Sequence, residues 1–82
     1  MERNELEQKA INVIADKLDM SSDQIKFENE LVDELGVDSL DKLNIVMGIE
    51  DEFDIEIYDT DMDDIKTVKD LCDLVEGKLN RE

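Results

Sequence analysis

The sequence predicts an all-α fold with three main helices and one short helix. The chain contains no proline and only three glycines, so few residues interrupt helical segments. Apolar residues also recur every three or four positions along three stretches of the chain, which is the spacing of an amphipathic helix. The 82 residues match one small domain, and we expect residues 1–82 to form it.

The first helix is expected over residues 4–18, where Leu6, Ala10 and Ile14 share one face. Asn4 and Glu7 have the spacing of a capping box at its start. A connection of unusual length follows over residues 19–38. Because loops of this length are either functional or disordered, its several apolar residues predict a loop held against the core.

The second helix is expected to begin at Asp38 or Ser39 and to run to about Phe53. Its apolar residues cover more than one side, so we expect it to contact more than one neighbour or to line a cavity. Gly48 within it costs roughly 1 kcal/mol relative to alanine, which predicts a close approach of another element.

A short helix is expected over residues 59–65, after an extended linker. Thr67 then caps the last helix, with Asp70 at the third helical position of a capping box. Gly77, Lys78 and Arg81 are typical of the fraying C-terminal end of a helix.

The negative charge is concentrated in the middle of the chain. The formal net charge is −16, and residues 28–64 contain fifteen acids and one base, a net of −14. Such a surface disfavours nucleic acid and anionic membranes as partners and steers basic proteins toward it. The concentrated charge also predicts self-repulsion that salt or divalent cations relieve.

The residue types that are missing exclude several kinds of site. With no histidine, the chain cannot form a Ser-His-Asp triad, and with one cysteine as well a structural zinc site is not expected. Cys72 lies on an apolar helix stripe, where a lone cysteine is most often a small core residue. The sequence contains neither a signal-peptide pattern nor a membrane-spanning run, which favours a cytoplasmic protein.

Ser39 lies in the stretch LGVDSLDKL, at the start of the second helix. A serine in this place is most often a helix cap, but Asp38 is an equally good cap and comes first. If Asp38 caps the helix, the hydroxyl of Ser39 is free. A phosphate ester on it would lie at the positive end of the helix dipole. A nucleophilic serine is not favoured, because no imidazole is available to activate it.

The run LGVDSLDKLNIVMGIEDEFDIEIYD, residues 35–59, and the later TV at residues 67–68 resemble the bacterial acyl carrier proteins. The resemblance covers essentially the whole chain and implies the four-helix acyl-carrier bundle. It implies that Ser39 carries 4′-phosphopantetheine, which a phosphopantetheinyl transferase installs from coenzyme A. The protein would be a monomeric carrier rather than an enzyme. It would hold acyl chains as thioesters and deliver them to fatty acid or polyketide synthesis enzymes with basic docking patches.

The resemblance also assigns two groups of residues. Those expected to contact partner enzymes are Asp38, Leu40, Asp41, Met47, Glu50, Asp51, Ile57 and Asp59. Those expected to line the acyl pocket are Leu31, Val32, Ile45, Ile49, Met62, Ile65 and Leu71. The pocket residues have an ordinary core as their alternative, and both roles hold if the apolar seam of the bundle parts around an alkyl chain.

Four positions depart from the family pattern. Asn44 replaces an acid, Lys42 adds a positive charge, Tyr58 replaces a proline and Gly48 replaces an alanine. Lys42 and Asn44 make the face of the second helix less acidic than is typical. The alternative to the housekeeping fatty acid carrier is therefore a carrier dedicated to a polyketide or other specialised acyl pathway.

A more distant alternative is an acidic adaptor or divalent-cation-binding protein. Asp59, Asp61 and Asp63 are spaced like the first ligands of a calcium loop. However, Asp64 occupies the position that requires glycine, and Lys66 occupies a normally apolar one. No defined metal site is therefore expected, and weak divalent binding is left open.

Overall fold

A computed structural model describes residues 2–80 of the chain. The helices are α1 (Arg3–Leu18), α2 (Ser39–Phe53), α3 (Asp59–Met62) and α4 (Val68–Leu79), and a 3₁₀ turn spans Ser22–Gln24. Within the described residues this confirms an all-α fold of three main helices, one short helix and a long first connection. Arg81, which we expected in the fraying end of the last helix, lies outside the described residues.

Two expected helix ends are wrong. α1 begins at Arg3 without a side-chain cap, so the predicted capping box of Asn4 and Glu7 does not form. Glu7 instead accepts a hydrogen bond from Arg3 at 2.7 Å, an i,i+4 pair within the helix. α3 ends at Met62 rather than residue 65, because Asp63 and Asp64 have low helix propensity. The amides of Asp63 and Ile65 instead donate to carbonyls three residues earlier, in tighter turns.

The long first connection packs onto the bundle, as its apolar residues predicted. Ile25, Leu31 and Val37 are each no more than 5% exposed. The backbone of this loop also bonds to the segment that leads into α4, since the amide of Leu31 donates to the carbonyl of Lys66 at 2.8 Å. The loop therefore forms part of the core and fixes the turn that precedes α2.

The core is formed by the inward faces of α1, α2 and α4. Its fully buried large side chains are Leu6, Ile14, Ile45, Ile49, Val68, Leu71, Cys72 and Val75. Cys72 is a core residue as expected, and burial raises the pKa of its thiol to about 11. At neutral pH this thiol is protonated and unreactive.

Gly48 is a point of close approach between α2 and α1, as the sequence predicted. A Cβ atom on Gly48 would lie 2.7 Å from Cγ1 of Val13 and 2.9 Å from Cε of Lys17. Gly77 in α4 has no neighbouring atom within 4 Å of the same position. The two glycines therefore differ in packing, although both lie inside helices.

This difference predicts opposite effects for the same substitution. Gly77→Ala is expected to raise the free energy of unfolding by about 0.5–1 kcal/mol, through helix propensity alone. Gly48→Ala is expected to lower it by about 1–2 kcal/mol, because crowding of Val13 outweighs that gain. Urea unfolding of both variants measures the difference, and a stabilised Gly48→Ala protein would contradict the close crossing.

Candidate functional site

Ser39 is the first residue of α2, and Asp38 is the one of the two candidate caps that caps the helix. The Oδ1 atom of Asp38 accepts a hydrogen bond from the amide of Asp41 at 2.8 Å, and the Oδ2 atom of Asp41 accepts one from the amide of Asp38 at 3.4 Å. Gly36, with φ of +71°, makes the turn before this cap. Ser39 is left exposed, and its hydroxyl bonds to no other described residue.

The other aliphatic hydroxyl groups of the chain lie in different settings. The hydroxyls of Ser21 and Thr67 accept from backbone amides and cap the 3₁₀ turn and α4. Ser22 lies in a three-residue turn and Thr60 in the four-residue α3, and neither element is long enough for a helix dipole to develop. Ser39 alone among them combines a free hydroxyl with the N-terminus of a full-length helix.

A groove of about 390 Å³ lies beside Ser39, between α2 and α3. From α2 it is lined by Ser39, Lys42, Leu43 and Val46, and from the α3 side by Ile57, Tyr58, Asp59, Met62 and Asp63. Ile57 and Met62 are buried, whereas Asp59 and Asp63 are exposed. The groove therefore has apolar walls and acids near its solvent side.

The predicted pocket residues divide into three groups. Met62 lines the groove beside Ser39. Leu31, Ile45, Ile49 and Leu71 are buried in the core, and Ile65 is partly buried. Val32 is 63% exposed and lines a separate surface depression together with Ile65. A pocket role for the core residues requires the seam between α2 and α3 to part.

Sequence reasoning missed Leu43 and Val46 as groove residues. They follow Ser39 by four and seven positions, which places all three on one face of α2. That helical spacing could have identified them. Tyr58 departs from the family pattern, but its position in the groove wall depends on how α3 packs.

The predicted partner residues are mostly exposed around α2. Asp38, Leu40, Met47, Asp51 and Asp59 are exposed, and Asp41 is partly buried. Leu40, Leu43 and Met47 form an outward apolar stripe, each more than half exposed. Two predicted residues have internal positions. Ile57 is only 8% exposed, and the partly buried Glu50 accepts a hydrogen bond from the amide of Ile57 at 2.8 Å.

The surface around the groove is acidic with one exception. Lys42 is the only base within residues 28–64, and it forms no ion pair with any residue from 2 to 80. Asp59 and Asp61 belong to the short helix α3 rather than to a calcium-binding loop. In the described part of the chain, no cluster of three or more acids or cysteines is arranged to hold a metal ion.

No helix in residues 2–80 is long and apolar enough to cross a membrane.

Among known proteins, a family model described as "Phosphopantetheine attachment site" matches residues 8–75. The acyl carrier protein of Bdellovibrio bacteriovorus is 41% identical over 70 residues, covering 85% of this chain and 90% of that protein. The acyl carrier protein of Thermotoga maritima is 39% identical over 77 residues, covering 94% and 95%.

Solved structures agree with this result. The crystal structure of the acyl carrier protein from Thermotoga maritima matches with a TM-score of 0.82 and 37% identity, over 99% of this chain and 94% of that one. The acyl carrier protein structure from Enterococcus faecalis matches with a TM-score of 0.75 and 33% identity, over 95% and 99%.

Proposed function

Because this chain belongs to the acyl carrier protein family, we propose that Ser39 is the residue that carries its 4′-phosphopantetheine. The protein is a non-catalytic carrier of acyl chains, and fatty acid synthesis is the typical role of its family. The observation that supports Ser39 is its free, exposed hydroxyl at the first position of α2, where Asp38 already caps the helix.

The residues around Ser39 fit a 4′-phosphopantetheine group. The unpaired amides at the start of α2 and the positive end of the helix dipole favour a phosphodiester on the Ser39 oxygen. When bound, the group supplies a thiol that holds an acyl chain as a thioester. The chain has no histidine to activate the hydroxyl, so we expect a phosphopantetheinyl transferase to supply the base.

We further propose that the groove beside Ser39 shelters the first part of the acyl chain. Its walls at Leu43, Val46 and Met62 are apolar, and each methylene group that they bury contributes roughly 0.8 kcal/mol. The predicted deeper pocket of Leu31, Ile45, Ile49, Ile65 and Leu71 requires the seam to widen. Val32, on the outside, is the predicted pocket residue with the least structural support.

The exposed face of α2 supports docking by basic partner enzymes. Its apolar stripe of Leu40, Leu43 and Met47 is accompanied by Asp38 and Asp51, which are also exposed. Acids around an apolar patch attract lysine and arginine and set the orientation of the encounter. The predicted apolar contact of Ile57 with partners stays a prediction, because only 8% of this residue is exposed.

Charge reversal on this face is expected to slow modification by the transferase. Asp38 and Asp41 form the cap of α2, so Asp51 gives a cleaner test. Asp51→Lys is expected to slow phosphopantetheinylation roughly fivefold at low salt, because the encounter is steered by charge. Asp23→Lys, an exposed reversal on the first connection, is the matched control. Equal slowing by both variants would exclude a localised docking face.

The carrier assignment is tested by incubating the unmodified protein with a phosphopantetheinyl transferase and coenzyme A. We expect the intact mass to increase by one phosphopantetheine. No mass increase with several different transferases would overturn the proposal. The position of the group is tested separately with variants of Ser39.

A carrier dedicated to a specialised acyl pathway is the second candidate. Lys42 and Tyr58, two departures from the family pattern, both line the groove beside Ser39, and this observation favours it. The acyl group found by mass spectrometry on protein from its native cell distinguishes the two. In either case we propose one domain over residues 1–82, since the relatives align over nearly their full length. We also propose a cytoplasmic monomer, as the family resemblance implies.

A further inference from the structure

α3 forms one wall of the groove and has only four residues. A helix this short is not stable by itself, so tertiary contacts must hold it in place. Two of these contacts come from the core side. Met62 is buried, and the amide of Ile57, just before α3, donates to Glu50 of α2 at 2.8 Å.

The third contact comes from α4. Nζ of Lys78 lies 2.7 Å from Oδ2 of Asp61 and 4.8 Å from the centroid of the Tyr58 ring. The same Asp61 oxygen accepts the amide of Tyr58 at 2.9 Å, the hydrogen bond that closes the first turn of α3. Lys78 therefore contacts both the residue that begins this turn and the residue that completes it.

The Lys78 contact is more protected from water than the other lysine pairs of the bundle. The side chains of Lys78 and Asp61 are 13% and 24% exposed. Lys69, on the same helix, pairs with Asp73 at 2.9 Å, but these side chains are 57% and 48% exposed. Reduced exposure strengthens both the ion pair and the cation–π contact with Tyr58.

Tyr58 and Met62, at the two ends of α3, line the groove together with Ser39. We propose that Lys78 is a positioning residue for acyl sheltering, because it holds α3 closed over the groove through Asp61 and Tyr58. This inference rests on the proposed attachment of the acyl-bearing arm at Ser39. Loss of the Lys78 contact would remove this tie between α3 and α4, and the groove would open more often.

The test compares Lys78→Gln with Lys69→Gln, a matched loss of one lysine ion pair on α4. Amide exchange is measured at Asp61, Asp63 and Ile65, whose amides donate to carbonyls within the α3 segment. Lys78→Gln is expected to speed exchange at these amides roughly fivefold, with Leu71 in α4 unaffected. Lys69→Gln is expected to leave amide exchange in α3 unchanged. Lys78→Arg keeps the positive charge and is expected to exchange at the slow wild-type rate.

The second readout is chemical. Each variant is loaded with a saturated medium-length acyl chain by the transferase and acyl coenzyme A, and the thioester is cleaved with hydroxylamine. Cleavage of the Lys78→Gln thioester is expected to be roughly fivefold faster than that of wild type. Wild-type cleavage rates in Lys78→Gln, or equal acceleration by Lys69→Gln, would overturn the inference.

Two further outcomes are separable. If no variant is modified by the transferase, the proposed function fails. If the α3 amides of Lys78→Gln exchange at the wild-type rate, only the inference about Lys78 is overturned. If Lys78→Gln does not fold, Asp61→Asn replaces it. That variant removes the charge facing Lys78, and its amide oxygen can still accept from Tyr58. Wild-type exchange and cleavage in a folded Asp61→Asn protein would again overturn the inference.

Discussion

Replacement of Ser39 by alanine is expected to abolish phosphopantetheinylation completely. The substitution removes the oxygen that would bear the phosphodiester. The phenol of Tyr58 in the groove wall donates to Glu56 at 2.8 Å, and no other aliphatic hydroxyl has the setting of Ser39. Ser21 and Thr67 use their hydroxyls as caps, Ser22 lies in the 3₁₀ turn and Thr60 lies in the four-residue α3. Intact mass spectrometry after incubation with a transferase and coenzyme A measures the loss.

The fold of the Ser39→Ala protein is expected to be preserved, because Asp38 supplies the cap of α2. The far-ultraviolet circular dichroism spectrum should therefore match that of the wild type. Ser22→Ala is the matched control, and it should be modified at the wild-type rate. A Ser39→Ala protein that still gains one phosphopantetheine would show that another side chain is the attachment point.

Raising the ionic strength from about 0.01 M to 1 M is expected to increase Tm by roughly 5–15 °C. The net charge is −16, and the Debye length shortens from about 30 Å to 3 Å over this range, so repulsion among the acids is screened. For a domain of this size, about 1 kcal/mol of stability corresponds to roughly 4–8 °C. The double variant Asp51→Asn and Glu52→Gln should show a smaller gain, because both acids lie in the acidic middle segment.

Asp16→Asn, in the nearly balanced first segment, should retain the full salt effect.

Two acids stabilise the folded protein instead of repelling each other, and acidification removes this stabilisation. Backbone hydrogen bonds from Lys66 and Thr67 lower the pKa of Asp70, and a hydrogen bond from Lys69 lowers that of Asp73. Both carboxylates stabilise the folded state above their unfolded pKa of about 3.9, and this contribution is lost as the pH falls through their folded values. A Tm that changes neither with ionic strength nor when the pH falls below about 4 would contradict this account.

The start of α2 could be predicted because its determinants are local. Gly36, Asp38 and Ser39 form a turn, a cap and a first helical residue within four positions of sequence. Gly48 and Cys72 could be predicted for a similar reason, since residue type and helical spacing alone indicated a close crossing and a core position. Periodicity likewise gave the helices and their inward faces.

The features that could not be predicted depend on contacts between distant residues. Lys78 and Tyr58 are twenty positions apart, and only the packing of α4 against α3 brings them together. Val32 has the same apolar character as Leu31, but neighbouring side chains in the loop point to different environments, one buried and one exposed. The start of α1 at Arg3 also reflects a distant partner, since Arg3 pairs with Asp73 of α4 at 2.6 Å.

The measurement that tests the central claim most directly is the position of the phosphorus atom in the modified wild-type protein. Proton–phosphorus correlation NMR identifies the side chain that is esterified. The structure predicts one phosphorus resonance that correlates with the β protons of Ser39. A correlation with the side-chain protons of Ser21, Ser22, Thr60 or Thr67 would contradict it.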